Sequence, residues 1–84
     1  AVRGDKRIAA KLWKLSQDHG IPCENGVQID LEMTITYFAD MLGAKRETVS
    51  RQLKVLTDAE LVLQYGNKFV IPDRDKLMEY FKTP

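Results

Sequence analysis

Apolar and polar positions along the chain repeat with two different periods. In residues 5–19, Ile8, Ala9, Leu12, Trp13 and Leu15 fall at helical spacing with Arg7, Lys11 and Lys14 on another face, which predicts an amphipathic helix. Gly20 and Pro22 end it, and the Pro, Asn and Gly within residues 21–26 predict a loop. Val27, Ile29 and Leu31 then alternate with Gln28 and Asp30, the period of a short half-buried strand. Thr34 can cap a second helix, whose Ile35, Phe38, Ala39 and Leu42 share a face before Gly43 stops it.

A short turn over residues 43–45 leads to a third helix over residues 46–59, and helices joined so tightly must cross steeply. Two apolar runs follow, residues 61–65 and 68–71, divided by Gly66-Asn67, a pair that favours a tight hairpin. Pro72 and Asp73 open a last helix, with Asp73 as cap and Leu77, Met78 and Phe81 at helical spacing. The order predicts an α+β winged helix-turn-helix: a three-helix core, a short strand, a β-hairpin wing and a short C-terminal helix. Residues 1–84 form a single domain on this reading, without repeats or an interior linker.

Composition narrows the function classes. With 84 residues there is room for one small core, and a large cleft enzyme is not expected. The 44% hydrophobic and 30% charged content is that of a folded globular domain. No apolar run approaches the ~20 residues that span a bilayer, and no signal peptide is apparent, so a cytoplasmic location and no membrane partner are expected. Cys23 is the only cysteine, so no disulfide can form within the chain, which suits a reducing compartment. His19 and Cys23 are too few to make a tetrahedral metal site and read as a loop polar residue and a small hydrophobe. Trp13 reads as core rather than a stacking platform. No phosphate loop, Ser/His/Asp set or carboxylate cluster is present to carry catalysis, and no cofactor is expected in this domain. The chain opens at Ala1 in what reads as mid-sequence, part of a longer protein.

The net charge of +1 is uninformative, but its distribution is not: residues 45–54 hold four basic side chains, Lys45, Arg46, Arg51 and Lys54, against one acid, Glu47. At ~100° per residue, Arg46, Glu47, Ser50, Arg51 and Lys54 occupy one stripe roughly 140° wide, while Val49, Leu53 and Leu56 lie on a separate face. The stripe holds the groups that major-groove reading needs. Arginine donates two bonds to guanine, glutamate accepts from cytosine N4, and serine does either. Ala39 lets two helices approach, Gly43 permits a positive φ, and Val49 fills the angle between them. The competing readings are a solvated face with Glu47 and Arg51 as an i, i+4 pair, and a winged helix that binds protein. The second would carry an apolar or mixed surface in place of the stripe. RNA binding would call for exposed aromatics to stack on unpaired bases, and none are expected here.

The run 38–54, Phe-Ala-Asp-Met-Leu-Gly-Ala-Lys-Arg-Glu-Thr-Val-Ser-Arg-Gln-Leu-Lys, preceded by Arg7-Ile8-Ala9, Leu12 and Leu15, resembles the DNA-binding domain of the Crp/Fnr family of transcription regulators. The likeness covers residues 7–71. It implies base contacts from Arg46, Glu47, Ser50 and Arg51, with Thr34, Thr36, Lys45, Lys54 and Lys68 as candidate phosphate contacts. The resemblance further implies a homodimer on an inverted repeat of double-stranded DNA, RNA polymerase as a candidate partner, and an effector-binding domain N-terminal to this one. Three positions depart from the family's commoner pattern: Lys45 where a Ser or Thr cap is frequent, Gln52 where an aliphatic residue is common, and Ile35 where a polar phosphate-contacting residue often sits.

Overall fold

The computed structural model describes residues 4–83. Its elements are α1 (Gly4–His19), β1 (Gly20–Cys23), β2 (Gly26–Ile29), α2 (Ile35–Leu42), α3 (Arg46–Asp58), β3 (Leu63–Tyr65), β4 (Lys68–Ile71) and α4 (Arg74–Lys82). The apolar faces expected of the helices turn inward. Ile8, Leu12, Phe38, Val49, Leu53 and Leu56 are all at most 2% exposed and meet Phe69, Ile71 and Leu77 in one core. Phe38 from α2 lies against Phe69 from β4, with ring centroids 6.4 Å apart. The antiparallel sheet, in the order β1-β2-β4-β3, closes one side of this core.

The stretch expected to be a loop is in part a strand, and this corrects the sequence reading. Residues Gly20 to Cys23 pair with β2 in the register Gly20↔Ile29 to Cys23↔Gly26. The strand lacks alternation because it is the outer one, with Gly20, Ile21 and Pro22 exposed. Pro22 is tolerated there because an edge strand leaves one side of its backbone unpaired. Gly26 is required for a different reason: at φ 141°, an added Cβ would lie 2.3 Å from the Ile71 carbonyl oxygen. Backbone from β4 occupies the space a side chain would need.

The expected boundaries shift where helix ends consume backbone groups. α3 closes at Asp58, and the amide of Leu61 donates to the Leu56 carbonyl at 3.0 Å, so β3 begins at Leu63 rather than at residue 61. Asp73 caps α4 as expected, its carboxylate accepting from the amides of Asp75 and Lys76 at 3.0 and 3.2 Å.

Charged residues that sequence alone leaves in water instead bind α1 to its neighbours. The Arg7 guanidinium donates to the Leu42 carbonyl at the end of α2. Lys6 is buried and donates to the Thr83 carbonyl, and the Tyr80 hydroxyl donates to Asp5. Trp13 is half-buried and packed on the core rather than engulfed by it. Its ring meets Phe81 edge-on at 6.1 Å, and the Arg74 guanidinium lies 4.6 Å from its centroid while Arg74 Nε donates to Ser16. Such a cation–π stack is worth about 0.5–1 kcal/mol where partly exposed. Among the described residues no group of three metal-ligating side chains occurs, and no helix is long and apolar enough to cross a membrane.

Candidate nucleic-acid interface

The interface begins with α2. Thr34 stands at its N-cap with φ −72° and ψ 160°, and its hydroxyl oxygen accepts from the Tyr37 amide at 3.0 Å. At the other end Gly43 takes a left-handed conformation, φ 63° and ψ 35°. The Ala44 amide bonds to the Ala39 carbonyl at 2.9 Å and the Gly43 amide to the Asp40 carbonyl at 3.2 Å, which satisfies two of the terminal carbonyls of the helix while reversing the chain. α3 therefore starts at Arg46, immediately across the turn.

Lys45 occupies the N-cap of α3 and makes no side-chain cap bond, because an ammonium group has no lone pair to accept one. Glu47 sits in the first turn, where a carboxylate complements the positive end of the helix. Val49, Leu53 and Leu56 anchor the inner face, at 0%, 2% and 0% exposure. Arg46, Glu47, Ser50, Arg51 and Lys54 are all exposed on the opposite side. These five surround a shallow depression of about 460 Å³ whose sixth wall is Ile35, from the first turn of α2. Among the described residues Glu47 and Arg51 make no ion pair, so the i, i+4 bridge is not what holds this surface. Lys54 does pair, with Asp58 at 3.0 Å, but both side chains are mostly exposed and such a pair is worth only a few tenths of a kcal/mol.

The phosphate candidates fall into two groups. Thr34 at the N-cap and Thr36 in the first turn of α2 are exposed, Lys45 is exposed in the inter-helix turn, and Lys54 joins the stripe itself. Lys68 is half-buried at the start of β4, directly across the Gly66–Asn67 turn from Tyr65. Tyr65 and, on α2, Tyr37 are more than half exposed, which corrects the expectation that no aromatic side chain reaches the surface. Lys68 lies on a separate element, yet the structure ties that element to α2: the Met33 amide, one residue before the Thr34 cap, donates to the Asn67 carbonyl at 2.8 Å. The wing tip and the N-terminus of α2 thus stand on one flank. Sequence reasoning had no signal for this link, since a backbone-to-backbone bond leaves no mark on residue type.

A buried-faced helix presenting a charged outer stripe, set by a tight turn against a second helix and flanked by a hairpin, defines a domain of the winged helix-turn-helix class, a geometry that can dock a helix on DNA. The chain belongs to the Crp-like helix-turn-helix domain family, whose model matches residues 6–80. It is 31% identical over 65 residues to the global nitrogen regulator of Nostoc sp., covering 77% of this chain and 29% of that protein. The corresponding regulator of Synechococcus elongatus is 29% identical over 75 residues, 89% of this chain and 34% of that one. The chain therefore spans about a third of the length of the curated relatives it matches. Among solved structures, a CRP/FNR-family transcriptional regulator from Thermus thermophilus superposes with a TM-score of 0.83 at 26% identity, over 98% of this chain and 42% of that one. The CO-dependent transcription factor CooA from Carboxydothermus hydrogenoformans gives 0.82 at 26% identity, over 92% and 36%.

Proposed function

We propose that this domain reads the sequence of double-stranded DNA by inserting α3 into the major groove, with Arg46, Glu47, Ser50 and Arg51 on base edges. The observation that carries this reading is the exposed stripe on α3, without ion pairs at Glu47 and Arg51 among the described residues and backed by a fully buried face. Arginine and glutamate without ion-pair partners are free to meet guanine and cytosine. Thr34, Thr36, Lys45, Lys54 and Lys68 contact phosphates on either side and set the register without reading sequence. Lys54 exchanges its weak pair with Asp58 for a phosphate oxygen.

The longer protein acts on this proposal as a homodimer on an inverted repeat, with half-sites about 34 Å apart so that two copies of α3 enter successive major grooves on one side. RNA polymerase is the further partner such a bound dimer would present itself to. The names of the relatives attach nitrogen control to one and carbon monoxide to another, so the signal is expected to reside outside these residues.

Selection of bound sites from random duplex DNA tests the proposal. The expected result is a recovered inverted repeat with paired protection in footprints. Recovery of single asymmetric sites bound by one protomer would remove the dimer, and absence of any preferred sequence would remove the reading itself.

A further inference from the structure

Ile35 is the apolar side chain in the wall of a depression otherwise formed by Arg46, Glu47, Ser50, Arg51 and Lys54. It is half-buried: one side packs on the core and the rest opens into the reading surface. Its branched hydrocarbon can accept nothing from and donate nothing to a phosphate. Closing duplex DNA over the depression takes its exposed part out of water, most favourably where it packs against another apolar group. Among the base edges of the major groove that group is the C5-methyl of thymine.

We infer that Ile35 is a specificity-determining residue that packs against a thymine methyl in each half-site, adding the choice of a T·A pair to the G·C reading of Arg51 and Glu47. The inference rests on the proposed major-groove docking of α3. Its geometry follows from the fold: the Thr34 cap and the crossing of α2 over α3 bring the first residue of α2 to the rim of the recognition stripe. Two helices then share the readout, α3 through hydrogen bonds and α2 through one apolar contact.

Uracil scanning separates this contact from every other. Each thymine of the selected site is replaced in turn by deoxyuridine, which keeps the Watson–Crick edge and removes only the methyl, and the protein and its Ile35→Ala and Ile35→Val variants are titrated against each duplex. At one thymine per half-site, loss of the methyl is expected to weaken the unaltered protein about fourfold, the value of one buried carbon. The same replacement is expected to leave Ile35→Ala unaffected, with Ile35→Val between the two. Thermal unfolding of each variant keeps a folding defect apart from a binding one, and Ile35→Val carries the comparison if Ile35→Ala unfolds. If the selected site contains no thymine, or the methyl and side-chain losses multiply independently at every position, the inference is wrong while DNA reading by α3 stands. If no duplex is bound with any preference, that reading fails first, before any uracil is introduced.

Discussion

Helices α2 and α3 end in the same hydrogen-bonded turn built on different residues. After α2, the Ala44 and Gly43 amides bond back to Ala39 and Asp40, with Gly43 at φ 63°. After α3, the Leu61 and Glu60 amides bond back to Leu56 and Thr57 at 3.0 and 3.1 Å, with Glu60 at φ 59°. The left-handed conformation is free for glycine and costs a residue with a Cβ about 1 kcal/mol. The turn that sets the angle between the two helices of the candidate interface is thus unstrained, while the turn that leads out toward the wing carries strain. The same hydrogen-bond pattern and a similar φ do not imply the same local stability, and the difference lies where a side chain meets its own backbone.

Substitutions at the positive-φ positions sharpen the contrast, read as shifts in urea midpoint at unchanged slope. The largest effect is expected at Gly26, where a methyl group adds a clash with the Ile71 carbonyl to the conformational penalty. Gly26→Ala should cost about 2–3 kcal/mol. At Gly43 a Cβ would meet nothing within 4 Å, so only the conformational term applies. Gly43→Ala should cost about 1 kcal/mol. A loss at Gly43 as large as that at Gly26 would show that the inter-helix turn is sterically crowded after all. The smallest effect has the opposite sign: Glu60→Gly should stabilise by about 0.5 kcal/mol, the strain relief being partly offset by the freedom glycine gains in the unfolded chain. Destabilisation by Glu60→Gly would mean that the Glu60 side chain contributes something beyond its backbone conformation.

What was legible in the sequence follows the same division between side-chain code and backbone geometry. α2, the turn at Gly43 and α3 could be read because each rests on residue types with a local preference: Thr34 as cap, Gly43 for positive φ, and an apolar face at helical period. The wing was marked by Gly66-Asn67. β1 was not legible, since an exposed edge strand containing Gly20 and Pro22 carries no alternation and its pairing comes entirely from β2. Nor were the roles of Lys6, Arg7 and Arg74, because a charge on a helix face looks the same whether it faces water or a polar group far away in the chain. Within the candidate site, the stripe on α3 could be derived from angle alone, whereas the place of Ile35 beside it depends on how α2 crosses α3. The link from Met33 to Asn67, which holds the wing beside α2, is likewise a product of the fold.

Base reading by α3 through Glu47 and Arg51, as distinct from added charge alone, is what the proposed function turns on. It is tested most directly by titrating the unaltered protein, Arg51→Ala and Glu47→Ala against the selected site, its single-base-pair variants and random duplex at two salt concentrations. Arg51→Ala is expected to cost about 1–3 kcal/mol on the selected site and little on random DNA. Glu47→Ala is expected to relax the choice at one G·C pair while maintaining or raising non-specific affinity, because it removes a negative charge from a surface that faces phosphates. If both variants weaken every duplex equally and no base-pair position is relaxed, α3 is not the reader.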